Sequence, residues 1–280
     1  RDHTATVVAT GEGMQKQMLV NGVGMTSLNP ITKMMSHLPL AFLSDPPQNS
    51  LVVCFGMGTS FRSLLSWGIR ATAVELVPSV PSLFGYYHGD GAELLYSPLA
   101  RIVIDDGRRF LERSPETYDV ITVDPPPPVS AAGSSLLYSR EFYAVVKKRL
   151  RPGGILQQWL PHWVEPIVLS SVARALGDSF PYVRVFNSLT GDGYHFLASM
   201  SPIPATPASV LAGRLPPGAV ADLLEWGPAS TPMEQFQAVV SREIPLARAI
   251  AAAPGAPVLQ DDRPVNEYFL IRVTFRAAGT

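Results

Sequence analysis

The 280-residue chain lacks the features that mark several large protein classes. It has one cysteine, Cys54, which excludes an internal disulfide framework and a cysteine-rich zinc site. Charged residues make up 16% of the chain and the formal net charge is -1, so it offers no electrostatic footprint for nucleic acid or anionic lipid. No uninterrupted apolar run reaches the ~18 residues of a membrane-spanning helix. Metal-ligand spacings, a nucleophile elbow and a P-loop are also missing from the sequence.

Proline, in contrast, is abundant, and many of the 27 prolines cluster in the last third of the chain. Hydrophobic residues continue through that segment, which predicts short helices and loops around a core rather than disorder. We expect three parts. They are a β-hairpin region with a connecting helix at 1–45, a main α/β domain at 46–200, and a C-terminal extension packed on the core at 201–280.

The N-terminal region carries signals for a hairpin followed by a helix. Branched residues at 4–9 favour a strand, and Asn21-Gly22 is a strong hairpin-turn signal. Apolar residues recur at helical spacing over 30–43, and Pro30 suits the first position of a helix.

From residue 50 onward, strand and helix patterns alternate. This alternation predicts a doubly wound, mostly parallel sheet, the α/β fold class. Ligands of such sheets bind at the carboxyl ends of the strands. The predicted strands cover 51–55, 71–74, 101–104, 118–123 and 155–159.

The first two strands end in residues suited to a nucleoside. Gly56 and Gly58 follow the first strand and open a helix, so the backbone there can approach a ligand closely. Glu75 ends the second strand, where a carboxylate can accept hydrogen bonds from both ribose hydroxyls. A plain tight turn and a surface acid near a helix start are the alternatives.

The next two strands also end in acids. Asp106-Gly107 follows the third strand, and its carboxylate can accept from an adenine amine or, alternatively, cap a helix. Asp124 follows the fourth strand, and the prolines at 125–128 after it stiffen the segment and remove backbone donors. Such a carboxylate suits a cationic sulfonium or an incoming amine, whereas the alternative is a proline-rich loop without chemistry. Together, the four strand ends predict an adenosine site more strongly than an NAD site.

These features, with their neighbours, resemble the polyamine aminopropyltransferase (spermidine synthase) family over residues 18–200, about two-thirds of the chain. Each motif is short, but their order is specific. The matching pieces are LVNG at 19–22, HLPL at 37–40, the glycine turn, VE at 74–75, DG at 106–107, YDVITVD at 118–124, LYSREFY at 137–143 and LRPGG at 150–154.

The resemblance implies a small N-terminal β domain and a Rossmann-like S-adenosylmethionine-dependent transferase fold, with residues 46–200 as the nucleoside-binding domain. It implies S-adenosylmethionine or its decarboxylated form as co-substrate, no metal, and a site built from Gly56, Gly58, Glu75, Asp106, Gly107 and Asp124. Glu75 would bind ribose, Asp106 would lie near adenine, and Asp124 would be the catalytic residue. A homodimer, a small-molecule acceptor and a cytoplasmic location are further expectations. A bacterial branch of the family is fused to membrane segments, and the start at Arg1 agrees with a fragment of such a protein.

The departures from the family pattern concern the acceptor. Pro127 stands where the family has the aspartate that deprotonates the attacking amine, and Met57 replaces an acidic residue of the glycine turn. Ile31-Thr32 replaces the tyrosine–histidine pair that holds the diamine. Burying a dication without acidic partners is costly, so the adenosine pocket is expected to be kept and the polyamine pocket lost.

Aromatic and histidine residues after the fifth strand, among them Trp159, Tyr194 and His195, either supply a base or close the core, and we favour the core. Three functions follow. The first is transfer of an alkyl group, aminopropyl or methyl, from a sulfonium nucleoside to an amine acceptor other than a common diamine. The second is a genuine spermidine synthase that uses an atypical base. The third is a non-catalytic nucleoside-binding domain of a larger membrane protein.

Overall fold

A three-stranded antiparallel sheet forms the N-terminal part of the computed structural model, which describes residues 1–125 and 133–268. Asn21 and Gly22 connect its second and third strands with φ of 52° and 83°, the left-handed conformation that a two-residue hairpin requires. The predicted hairpin is therefore confirmed. The strands are β1 (Val7–Thr10), β2 (Gln17–Val20) and β3 (Val23–Ser27).

The helix α1 (Pro30–Phe42) connects this sheet to the main domain. Asn29 caps it by accepting a hydrogen bond from the backbone N–H of Thr32, and Pro30 occupies the first helical position as predicted. Thr122 of the main sheet donates its hydroxyl hydrogen bond to the backbone oxygen of Met35, so α1 lies directly on the sheet.

The described residues form a second sheet of eight strands in the order β11-β9-β10-β8-β7-β4-β5-β6. Strands β6, β5, β4, β7 and β8 are parallel, and β10, β9 and β11 extend the sheet in antiparallel pairs. The predicted α/β class with a mostly parallel sheet is thus confirmed. Its strands are β4 (Asn49–Val53), β5 (Arg70–Glu75), β6 (Ala100–Ile104), β7 (Tyr118–Val123), β8 (Leu150–Pro161), β9 (Tyr182–Asn187), β10 (Gly193–Ser199) and β11 (Glu243–Ile244).

Helices cover both faces of this sheet, as the doubly wound pattern requires. One buried core lies beneath α1, α2 and the helices α8 to α10, and the other lies beneath α5, α6, α7 and α11. The helices are α2 (Thr59–Leu65), α3 (Phe84–Tyr87), α4 (Gly91–Leu94), α5 (Gly107–Arg113), α6 (Arg140–Arg149), α7 (Pro166–Ser179), α8 (Ala208–Ala212), α9 (Pro217–Leu224), α10 (Pro232–Val240) and α11 (Leu246–Ile250).

The proline-rich C-terminal segment folds into the last four of these helices. Prolines stand at helix starts, where a missing N–H costs nothing, as at Pro217 and Pro232. Leu211, Leu223 and Phe236 from this segment are fully buried in the core that also contains α1 and α2. The division at residues 45 and 200 stays a prediction. Over the described ranges, no helix combines the length and the apolar character needed to cross a bilayer.

A buried polar cluster joins α9 to α1 and α2. The carboxylate of Asp222 contacts Lys33 Nζ at 3.0 Å, His37 Nε2 at 2.8 Å and Arg62 Nη1 at 2.8 Å, and it accepts a hydrogen bond from Ser63 Oγ at 2.6 Å. Burial alone would raise the pKa of Asp222, but the hydrogen bond from His37 and the charge of Lys33 hold it below its usual range. The C-terminal segment is therefore bound to the two helices that flank the glycine turn.

Replacing Asp222 leaves Lys33 and Arg62 without their shared buried carboxylate. We expect Asp222→Asn to lower the free energy of unfolding by about 3–5 kcal/mol, measured by urea denaturation at neutral pH. The control is Glu116→Gln at the exposed Arg101–Glu116 pair, where about 1 kcal/mol or less is expected. Equal, small losses in both variants would contradict a stabilising role for the cluster.

Candidate functional site

The strand-end acids Glu75, Asp106 and Asp124 come together at one edge of the main sheet. They follow or end β5, β6 and β7. In the sheet β7 and β5 flank β4 and β6 lies next to β5, so the acids lie at the carboxyl edge, the edge where these parallel strands end. Burial raises the pKa of the Cys54 thiol, and the charges of Glu75, Asp124 and Asp106 raise it further. Cys54, at the end of β4, thus lies in the field of all three. The three acids therefore share the carboxyl edge, while their convergence on one adenosine-sized hollow and their role in binding a nucleoside stay predictions.

The turn after β4 has an unusual backbone. Gly56 and Gly58 have φ of 53° and 80°, and Cys54 has a φ of 74°, which is rare for a residue with a side chain. A Cβ on Gly58 would lie 2.4 Å from ring atoms of Phe84, so this position has no space for a side chain. The helix α2 that follows has only seven residues, so its dipole is small, and close approach to the backbone is the main property that the turn offers.

Glu75 binds the turn directly. Its Oε2 accepts a hydrogen bond from the backbone N–H of Phe55 and its Oε1 accepts one from Val77, each at 2.9 Å. Burial raises the pKa of this carboxyl, and these backbone hydrogen bonds only partly oppose it. The simple alternative of a surface acid is wrong, because Glu75 is buried and fixes the ends of β4 and β5 relative to each other. Backbone hydrogen bonds from Gly56 and Leu76 add to the contributions that lower the pKa.

Asp106 is exposed and caps α5, with its Oδ1 accepting a hydrogen bond of 2.8 Å from the backbone N–H of Arg109. The helix-cap alternative is therefore confirmed, and the cap also fixes the direction of the carboxylate at the carboxyl edge. Gly107 lies close against β4, because a Cβ there would be 2.4 Å from Cγ1 of Val53. This contact brings the start of α5 next to the glycine turn.

Asp124 differs from the other strand-end acids in its electrostatics. Burial raises its pKa to about 7, with no offsetting contribution from the part of the chain that the structure describes. Its backbone N–H donates to the backbone oxygen of Val53, so Asp124 begins its loop beside β4. The prolines at 126–128, including Pro127 at the position of the family base, lie outside the described residues.

Sequence reasoning missed two apolar side chains at this edge. Leu76 directly follows Glu75 and is 58% exposed, and Ile104 at the end of β6 is 47% exposed. Leu76 follows β5 and Ile104 ends the neighbouring strand β6, so both add exposed apolar surface at this edge. The sequence signal that could have identified them is a large apolar residue beside a strand-end acid, because a polar residue is more usual at an exposed position.

The residues that differ from the family pattern are buried or engaged elsewhere. Met57 belongs to the core, Ile31 is buried, and the Thr32 hydroxyl donates to Asn29. His195 is fully buried and burial lowers its pKa to about 3, so the packing interpretation is the better one for this residue. The described residues contain no cluster of three histidine, cysteine or acidic side chains that could hold a metal ion.

Comparison with known proteins agrees with this geometry. A family model described as the spermine/spermidine synthase domain matches residues 29–192. The polyamine aminopropyltransferase of Bacillus subtilis is 29% identical over 183 residues, which cover 63% of this chain and 65% of that protein. Polyamine aminopropyltransferase 2 of Pseudomonas aeruginosa is 31% identical over 125 residues, 42% of this chain and 35% of that protein. The chain thus spans about one-third to two-thirds of the length of these curated relatives.

Among solved structures, the spermidine synthase of Thermotoga maritima superimposes with a TM-score of 0.68 at 17% identity. The superposition covers 90% of this chain and 86% of that one. This likeness supports the fold, including the small N-terminal sheet in front of the α/β domain.

The raised pKa of Asp124 predicts a pH-dependent stability. The folded protein retains this proton up to about pH 7, whereas an unfolded aspartate releases it near pH ~4, so this group makes the free energy of unfolding fall between those values. Asp124→Asn removes this effect. In urea denaturation we expect the variant to be more stable than the wild type by on the order of 2 kcal/mol at about pH 8, and equally stable near pH ~4.

A matched control is Asp105→Asn, because the hydrogen bond from Arg109 lowers the pKa of Asp105. That variant should gain no stability at the higher pH. If Asp124→Asn is destabilised at both pH values, the carboxylate is stabilised by its surroundings and the interpretation is wrong.

Proposed function

The chain belongs to the spermine/spermidine synthase family, and from this membership we propose that it transfers an aminopropyl group from decarboxylated S-adenosylmethionine to an amine. The observation that carries the proposal is the juxtaposition of the strand-end acids, one of them with a pKa near neutrality, beside the glycine turn. Transfer of a methyl group from S-adenosylmethionine itself is the alternative donor chemistry at the same site.

In this proposal the nucleoside lies across the carboxyl edge. Glu75, which the backbone of Phe55 and Val77 holds at this edge, accepts hydrogen bonds from the ribose hydroxyls. Asp106 accepts from the exocyclic amine of adenine, and the exposed side chains of Leu76 and Ile104 cover the faces of the base. Gly56, Gly58 and Gly107 allow the backbone to approach the ligand closely.

In this proposal Asp124 interacts with the positively charged reacting group both before and after the transfer. In the donor the charge that the reaction moves is on the sulfonium sulfur, and a carboxylate close to it stabilises the bound ligand. The terminal ammonium of the aminopropyl group is a second charge, which the transfer leaves unchanged. The amine nitrogen attacks the first carbon of the aminopropyl group, the carbon–sulfur bond breaks, and its electron pair goes to sulfur, which leaves neutral methylthioadenosine. The charge is then on the new ammonium nitrogen, whose proton Asp124 accepts. A pKa near 7 suits this second step.

The acceptor is proposed to differ from a common diamine, because Met57, Ile31 and Thr32 replace the residues with which the family holds one. The test is release of methylthioadenosine from decarboxylated S-adenosylmethionine in the presence of a panel of amines. Efficient turnover with putrescine would instead identify a spermidine synthase with an atypical base. Nucleoside binding without turnover with any amine would identify a nucleoside-binding domain. A homodimer and a cytoplasmic location stay predictions from the family.

Removing the charge of Glu75 should weaken nucleoside binding. We expect Glu75→Gln to raise the Kd for methylthioadenosine by about tenfold or more in isothermal titration, because hydrogen bonds to a charged acceptor are stronger than those to an amide. Glu116→Gln, an exposed carboxylate away from the carboxyl edge, is the control and should bind normally. An unchanged Kd in Glu75→Gln would remove the ribose role, and no binding by the wild type would overturn the proposed function.

The pKa of Asp124 predicts which ligand binds in a pH-dependent way. Above about pH 7 Asp124 is ionised in the free protein and attracts the sulfonium, whereas the neutral thioether of methylthioadenosine has no such partner. The preference for decarboxylated S-adenosylmethionine over methylthioadenosine should therefore rise by at least about tenfold from pH ~5.5 to ~8.

Asp124→Asn should abolish this rise and leave the affinity for methylthioadenosine unchanged. The same titrations measure both quantities. A preference that is independent of pH in the wild type would show that Asp124 does not contact the sulfonium.

A further inference from the structure

A second polar group lies on the sheet face that packs against α1, close to the end of β7 that Asp124 follows. Thr122 faces α1, and Gln157 is its partner on the parallel strand β8, so both side chains are on that face. Trp159 follows two residues later on the same face, and His195 is its direct partner on β10, with ring centroids 5.0 Å apart. Asp124 lies two residues beyond Thr122 and therefore beside Trp159. Asp124, Trp159 and His195 are thus level along the three strands, and Gln157 lies two residues further from the carboxyl edge.

Gln157 and His195 form a pair with unused hydrogen-bonding capacity. Gln157 Nε2 lies 3.2 Å from His195 Nδ1, and both side chains are fully buried. Over the described residues, neither Gln157 Oε1 nor His195 Nε2 has a hydrogen-bond partner. If the amide donates to the ring, an imidazole N–H and an amide oxygen are left over; with the opposite tautomer and amide flip, an amide N–H and a ring nitrogen are left over. In both arrangements, one hydrogen-bond donor and one hydrogen-bond acceptor have no partner among the described residues.

The chemistry of that partner follows from the pair. Burial lowers the pKa of His195 to about 3, so the imidazole is neutral at physiological pH, and Gln157 carries no charge. A hydroxyl or carboxamide both donates and accepts, so it satisfies the two free atoms together. An ammonium group can only donate hydrogen bonds. It would also bury a positive charge beside Gln157 and His195, neither of which is a carboxylate that could pair with it.

We propose that Gln157 and His195 form the floor of the acceptor pocket and select an amine whose far end is a neutral hydroxyl or carboxamide rather than a second ammonium. This inference rests on the proposed function. The reacting nitrogen lies at Asp124, the half-buried Trp159 covers the carbon chain, and the neutral end reaches the floor. Asp124 and Gln157 are one strand and two residues apart, roughly 8 Å between their Cα atoms, which suits a short amino alcohol.

The test compares putrescine with aminobutanol, the same carbon chain with a hydroxyl in place of one amine. Isothermal titration uses the protein saturated with methylthioadenosine, so that binding is measured without turnover. Wild-type protein should bind aminobutanol about tenfold more tightly than putrescine. Gln157→Glu, which puts a carboxylate in the floor, should shift the ratio toward putrescine by about tenfold or more.

His195→Phe tests the floor without adding charge. It retains a ring against Trp159 but removes the hydrogen-bonding atoms, so the Kd for aminobutanol should rise about tenfold while that for methylthioadenosine stays unchanged. This variant also keeps the proposal testable if Gln157→Glu fails to fold. The matched control is Gln158→Glu, on the same strand and equally buried, but on the opposite face beside Tyr143. Its aminobutanol-to-putrescine ratio should equal that of the wild type.

The outcomes separate the two proposals. If methylthioadenosine does not bind to the wild type, the proposed function fails. If methylthioadenosine binds, but putrescine binds as tightly as aminobutanol or neither amine binds, the proposed function stands. The proposed role of Gln157 and His195 in acceptor selection is then wrong. An unchanged ratio in Gln157→Glu, or normal aminobutanol binding in His195→Phe, also overturns the floor.

Discussion

The carboxylate of Glu75 is the contact on which the candidate site depends. It is buried, and its two oxygens accept hydrogen bonds from backbone groups that follow two adjacent strands, Phe55 after β4 and Val77 after β5. A buried carboxylate needs such donors, and the chain supplies them from the turn that must also stay open to a ligand. The left-handed conformations of Cys54, Gly56 and Gly58 aim the backbone at the carboxylate and leave the carboxyl edge free of side chains from the turn. The nucleoside binding that we propose and the folding of the turn thus use one and the same group.

The C-terminal helices support the site through contacts with α1 and α2. Asp222 of α9 is buried among Lys33 and His37 of α1 and Arg62 of α2, and the indole N–H of Trp67 donates to the other ring nitrogen of His37. His37 is the first residue of the HLPL motif, so this motif binds the C-terminal segment in addition to packing α1 on the sheet. Because α2 begins at the glycine turn, its position is set in part by residues about 160 positions later in the chain.

Charge is distributed unevenly within the pocket that we propose. The acids lie on the nucleoside side and at Asp124, whereas the neighbouring positions on β8 and β10 carry neutral polar and aromatic side chains, Gln157, Trp159 and His195. The single positive charge that the transfer moves from sulfur to nitrogen beside Asp124 agrees with this distribution. An acceptor held as a dication at both ends does not, because Gln157, Trp159 and His195 offer no carboxylate for its second charge.

The sequence by itself determined the hairpin at Asn21-Gly22, the alternation of strands and helices, and the placement of an acid or glycine turn after each of four strands. These features are encoded locally, in turn residues and in the period of apolar residues, and parallel strands necessarily bring their carboxyl ends to one edge. Only the tertiary structure decided the properties of the individual groups. Burial sets the pKa of Asp124 near 7, Asp106 caps α5, and Asp222 meets Lys33 across 189 positions. Burial and long-range pairing depend on how helices pack on the two faces of the sheet, and no local pattern in the sequence records that.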